Sequence, residues 1–195
     1  MISPEFSTGV TLLLYGLASV SGIVGMVARS PFWRKLGCWL AGAGFIFQTI
    51  SLATGFHKAL PGGLSLGAYL QLMAWFVVLC GLVAWGKLRQ EAPLIFAAPL
   101  GLMLFAMSAP YLEAVVQVPP SLKAPFYALH IGTLFLSLAL LALAFAAGAL
   151  FIFLEARIKS KQYMKGFWQD MPALTMLDKI NAFTTVVAYP LYTLG

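Results

Sequence analysis

Four stretches of this sequence, Val10–Ala28, Leu36–Phe56, Leu66–Trp85 and Pro93–Ala109, contain no Asp, Glu, Lys or Arg, and a fifth, Pro125–Glu155, reaches its first such residue only at Glu155. A helix needs about 20 mostly apolar residues to cross a bilayer. In lipid, backbone polar groups are satisfied only within helices or closed barrels. The runs here are continuously apolar and do not alternate with polar residues, so they read as helices and not as barrel strands. A sixth apolar stretch begins near Phe183 and is still apolar at Gly195. The expected fold is all-α: a polytopic transmembrane bundle of five complete spans plus the start of a sixth, with residues 1–195 forming one membrane domain. Composition agrees. The chain is 61% hydrophobic and 9% charged, against about 25% charged in a soluble domain, and no polar stretch is long enough to build a separate one. Glu5 stands where a signal peptide would carry basic residues, and no A-x-A site follows. The first segment is therefore expected to be a retained span.

A net charge of +6 could signal nucleic acid or another acidic partner, but its distribution follows the loops. Arg29, Arg34 and Lys35 lie between spans one and two, and Lys87 and Arg89 between three and four. Arg157, Lys159, Lys161, Lys165 and Lys179 lie after span five. These ten of the twelve basic residues fall on one side, leaving Lys58 and Lys123 on the other. By the positive-inside rule the basic side is cytoplasmic and the N-terminus is outside. The charge is thus a topology signal, and no nucleic-acid partner is needed to explain it.

Span five is unusual in length. From Pro125 to about Lys161 nothing interrupts the helical pattern except the isolated glycines Gly132 and Gly148. A helix of that length, at 1.5 Å per residue, is roughly 55 Å long, well beyond the ~30 Å hydrocarbon core. Its charged end, with Glu155, Arg157, Lys159 and Lys161, is expected to project into the cytoplasm. Residues 156–182 read as a cytoplasmic or interfacial segment. Within it Tyr163–Ile180 mixes Phe167, Trp168 and several Met and Leu residues with charge, as in a segment lying at the membrane surface.

Few residues offer chemistry. Cys38 and Cys80 sit in separate apolar runs without a C-x-x-C pattern, which argues against redox or zinc roles and reads as buried small hydrophobes. No H-E-x-x-H, G-x-S-x-G, P-loop or dinucleotide-binding glycine pattern occurs. Glu5, Glu91, Glu113, Glu155, Asp170 and Asp178 all lie outside the expected hydrocarbon spans, whereas a proton-coupled transporter usually carries an intramembrane carboxylate. Pro61-Gly62-Gly63-Leu64-Ser65-Leu66-Gly67 reads as a turn and a helix start. The two histidines remain, both toward the outer face: His57 just past span two and His130 near the outer end of span five. A neutral imidazole tolerates partial burial and can ligate haem iron. It can equally hydrogen-bond a neighbouring helix.

From about Pro119 onward the order of features resembles a known family. Leu129-His130-Ile131-Gly132 opens a long apolar helix that ends in Phe153-Leu154-Glu155-Ala156-Arg157-Ile158-Lys159. Met171-Pro172-Ala173-Leu174, Met176-Leu177-Asp178-Lys179-Ile180-Asn181 and Tyr189-Pro190-Leu191-Tyr192-Thr193-Leu194-Gly195 follow. This run is similar to the cytochrome c assembly family, the haem-handling CcsA/ResC proteins and their smaller HemX-type relatives. Before residue 119 the likeness is architectural. The resemblance implies an integral protein of the bacterial cytoplasmic membrane that binds haem at the outer face for delivery to apocytochrome c, alongside other cytochrome c assembly subunits. The covalent thioether chemistry would take place on the Cys-x-x-Cys-His of apocytochrome c, so the chain itself is expected to be an assembly factor and not an enzyme. His130 matches the family's outward axial haem ligand, and His57 falls near a second histidine position. Gln48 stands about where many members carry a membrane-embedded histidine. The family's tryptophan-rich segment would lie beyond Gly195, so the sequence reads as a piece stopping within the sixth span. The HemX-type relative implies the alternative: a membrane regulator of a tetrapyrrole-synthesis enzyme, working through its basic inner face.

Overall fold

A computed structural model describes residues 4–59, 64–116, 124–161 and 171–195, with the side chains of 4–5, 55–59 and 124–125 outside that description. The turn at Pro61–Gly63, Lys123, and the part of the surface segment from Tyr163 to Asp170 therefore lie outside the described residues. These residues form six α-helices: α1 Pro4–Val27, α2 Pro31–Ala59, α3 Leu66–Leu88, α4 Ala92–Met107, α5 Ala124–Lys159 and α6 Leu174–Leu194. There are no strands among them, only an isolated antiparallel bridge between Ser65 and Val115. Five of the helices are long and apolar enough to cross a membrane. The chain is an integral membrane protein.

The helices form three antiparallel hairpins. α1–α2 and α3–α4 pack together through α1 against α4 and α2 against α3, α5 rests on α3, and α6 packs on α5. Two clusters make the interior. One joins Tyr15 and Ala18 of α1, Cys38 and Ala41 of α2, Val78 of α3, and Leu94, Ile95 and Ala98 of α4. The other joins Val77 and Cys80 to Ala97, Ala139 and Leu143, carrying the core across to α5. Both cysteines are free and buried, in the small-hydrophobe role the sequence implies. The outside is as apolar as the inside: Phe145 is 79% exposed, Val186 70% and Phe183 69%. In water such a surface would aggregate, whereas in hydrocarbon it is solvated.

Small residues set how closely the first hairpin closes. A Cβ added to Gly37 would lie 2.9 Å from the Ala18 carbonyl oxygen and 2.9 Å from the Gly22 nitrogen, so the α1 and α2 backbones nearly touch there. Close backbone approach through glycine is how helices gain contact area where lipid removes the hydrophobic drive to associate.

The up-and-down order gathers charge at one end. Arg29, Arg34, Lys35, Lys87, Arg89, Arg157, Lys159, Lys161 and Lys179 all sit at or beyond the helix termini on that side. Three of them, Arg29, Arg89 and Lys161, adopt positive φ just after α1, α3 and α5, the left-handed conformation that closes a helix C-terminus. Glycine is usual there. A cation at that position interacts favourably with the helix's negative end and reaches the headgroup layer with its long side chain. Among the ion pairs that tie this end are Arg34 to Glu91 at 3.5 Å and Lys159 to Glu155 at 2.8 Å. α5 spans 36 residues, about 54 Å, so its charged last turns extend beyond a ~30 Å hydrocarbon core.

At the opposite end Ser65 caps α3 by accepting from the Ala68 N–H at 3.1 Å. Leu66 donates to the Ala114 carbonyl and Val116 to that of Leu64, clasping the α2–α3 and α4–α5 connections together. α6 starts at Leu174, well before Phe183, because Leu177, Thr184 and Ala188 give it a face buried against α5 even though Asp178 and Lys179 lower its apolarity. Its last residue, Gly195, lies against Thr133 and Leu134 of α5.

Candidate functional site

His130 lies in the second turn of α5, at the end of the bundle opposite the basic cluster. Its neighbours fix which way that turn faces. The Tyr127 hydroxyl is 2.9 Å from the Tyr69 hydroxyl of α3, and Phe135 packs edge-on against the Tyr69 ring with centroids 6.4 Å apart. With that side of α5 held on α3, Phe126, Leu129 and His130 share the outward face: residues three and four apart lie above one another on a helix. Phe126 is 71% exposed and Leu129 65%, and His130 is exposed beside them. The imidazole makes no hydrogen bond among the described residues. One turn further on, the Thr133 hydroxyl donates to the carbonyls of Leu129 and His130.

His57 is in the last turn of α2, at the same end of the bundle, with its side chain outside the described residues. α3 packs against both α2 and α5, but those two helices share no packed interface with each other. No helix contact therefore brings the two histidines together.

The buried polar residues form a different arrangement, which the sequence reading passed over apart from Gln48. The Tyr15 hydroxyl of α1 donates to Gln48 Oε1 of α2 at 2.5 Å. Gln48 Nε2 donates to the Gln71 carbonyl of α3 at 2.8 Å. Gln71 Nε2 donates to Ser108 Oγ at 3.3 Å, and Ser108 Oγ donates to the Phe105 carbonyl of α4 at 2.6 Å. This chain crosses all four helices of the first two hairpins, and Tyr15 and Gln48 are fully buried. Two lone amides inside uncharged spans were the available signal. A buried amide in hydrocarbon needs partners, and each could have been expected to point at another helix. Gln48, at the position where the family likeness places an embedded histidine, is fully engaged in helix packing and offers no imidazole.

Haem is the cofactor implied by the likeness. The described residues hold no group of three or more His, Cys, Asp or Glu that could bind a metal ion. An exposed, uncommitted imidazole flanked by Phe126 and Leu129 fits one axial position on a haem iron. No walls enclosing a macrocycle on both faces are found among the described residues at that end. No family model, curated protein or solved structure matches this chain.

Proposed function

We propose that this integral membrane protein is a haem-handling component of cytochrome c biogenesis, presenting haem at the membrane face opposite its basic end for delivery to apocytochrome c. The observation that carries the reading is His130: the imidazole is exposed, makes no hydrogen bond among the described residues and sits on a helix anchored through the Tyr69–Tyr127 contact. The sequence likeness from Pro119 to Gly195 supports the same assignment, with the bacterial cytoplasmic membrane as its setting and the other assembly subunits as partners. In this reading His130 would ligate the iron through a ring nitrogen, and Phe126 and Leu129 would shield one edge from water. Haem brings the iron and the reactive vinyl groups, and the remaining walls come from the partner. His57, at the same end, is the second histidine available to that surface.

The test is the visible spectrum of the detergent-purified protein after haem loading, oxidised and reduced, beside His130→Ala. The wild type is expected to show a Soret band that shifts on reduction. His130→Ala should lose most of that signal while keeping its elution volume, since exposed substitutions usually change stability by less than about 0.5 kcal/mol. A wild type that stays colourless after loading would defeat the haem reading. The regulator reading would then take its place, for one specific reason: α5 carries Glu155 and Lys159 on a projecting last turn beside a concentrated basic surface, a shape suited to docking a soluble partner.

A further inference from the structure

α6 packs along α5 but not against α3 or α4, and the space left between the hairpins is a partly open cleft of about 560 Å³. That is within the ~300–1,000 Å³ typical of small-molecule sites. Val83 of α3, Phe96 of α4, Leu140 of α5 and Phe183 of α6 represent its apolar walls, contributed by all four helices. Thr184 also lines it, but its hydroxyl is turned back onto the Ile180 carbonyl of its own helix at 2.7 Å. The two charged residues among the lining side chains are both lysines, Lys87 at the end of α3 and Lys179 in the second turn of α6, and no described acidic residue lines the cleft. Both lysines belong to the basic end of the bundle, where the headgroup layer begins.

We infer that this cleft is a binding site for one anionic phospholipid, with acyl chain along the α3–α6 walls and phosphate held between Lys87 and Lys179. An apolar slot with cations of one sign only at its interfacial mouth matches the charge pattern of that molecule, and basic pockets between membrane helices are established headgroup sites. A zwitterionic lipid would gain the same apolar contacts and lack the net charge that the two ammonium groups select.

The experiment is native mass spectrometry of the whole chain equilibrated with phosphatidylglycerol or phosphatidylcholine. It compares wild type, Lys87→Gln/Lys179→Gln, and Lys35→Gln/Lys161→Gln, which removes the same charge from the same end away from the cleft. The wild type should retain one phosphatidylglycerol in preference to phosphatidylcholine. The cleft variant should lose that preference about 30-fold, the effect of two cations close to an anionic headgroup, with the control within about threefold of wild type. Ala146→Phe, which fills the cleft, should reduce retention of both lipids. Equal losses in the two lysine variants, no anionic preference in the wild type, or unchanged retention in Ala146→Phe would each overturn the site. A lipid-free wild-type dimer dissociated by Ala146→Phe would assign the cleft to a second copy and would also overturn it. Lysine variants at exposed positions keep the test readable even if Ala146→Phe fails to fold.

Discussion

Gly37→Leu is expected to abolish accumulation of folded protein in the membrane. The side chain would start from a Cβ 2.9 Å from the Ala18 carbonyl oxygen and 2.9 Å from the Gly22 nitrogen, both backbone atoms of α1. No rotamer can relieve a contact made by the Cβ itself, so α1 and α2 must separate. That separation undoes contacts on both sides of the interface, including those of Tyr15, Ala18, Cys38 and Ala41 in the first cluster. Overpacking in a core costs about 1–3 kcal/mol where side chains can yield, and here the obstacle is main chain, so the cost should exceed about 3 kcal/mol. Against a total stability of about 5–15 kcal/mol, that is a large fraction. Fluorescence-detected size-exclusion of a tagged variant would read it as loss of the monodisperse peak. Gly9→Leu, where an added Cβ meets nothing within 4 Å, should leave the peak intact, and a Gly37→Leu profile equal to it would show that the α1–α2 approach is not needed.

The same glycine shows where sequence reasoning runs out. Five spans were legible because absence of charge over about 20 residues has few physical explanations. The segregation of Lys and Arg was legible because it needs only the order of loops. Which glycine lies at a helix crossing was not: several spans contain glycine, and Gly9, Gly16, Gly86 and Gly132 face open space while Gly37 and Gly81 meet neighbours at under 3 Å. Continuously apolar helices have no polar face to fix their rotation, so the pattern cannot say which side turns inward. The exact start of α6 was hidden for the opposite reason. Asp178 and Lys179 read as part of a surface segment, and packing of Leu177, Thr184 and Ala188 on α5 sets the helix start at Leu174.

The candidate site divides along the same line. His130 could be picked out because an ionisable residue within an apolar run is conspicuous, and its exposure required the structure. The Phe126–Leu129–His130 face follows from helical spacing, but its outward direction depends on the Tyr69–Tyr127 contact between residues far apart in sequence. The cleft between α3–α4 and α5–α6 leaves no trace in the sequence, since Lys87 and Lys179 read there simply as topology markers. The two ends of the molecule thus carry distinct capacities. One end presents the exposed His130 imidazole, and the other presents Lys87 and Lys179 above an apolar slot.

Gln48→Leu should lower stability by about 1–3 kcal/mol, the cost of leaving buried polar groups without partners. It is nearly volume-preserving, so the loss would come from the Tyr15 hydroxyl and the Gln71 carbonyl that the amide serves at 2.5 and 2.8 Å. The Gln71 carbonyl is a main-chain acceptor within α3 and keeps its helical environment, so the larger part of the cost falls on the buried Tyr15 hydroxyl, whose only hydrogen bond among the described residues is the one to Gln48. That asymmetry makes a sharper expectation for the pair. Tyr15→Phe alone strands Gln48 Oε1, whereas Tyr15→Phe/Gln48→Leu removes donor and acceptor together and leaves an apolar contact. The double variant is therefore expected to be more stable than Gln48→Leu alone, with a coupling of about 0.5–3 kcal/mol, as for residues sharing one network. Equilibrium unfolding of the four proteins in mixed micelles, followed by circular dichroism, measures this directly. Additive losses would mean that Tyr15 and Gln48 act separately and that their hydrogen bond does not tie α1 to α2.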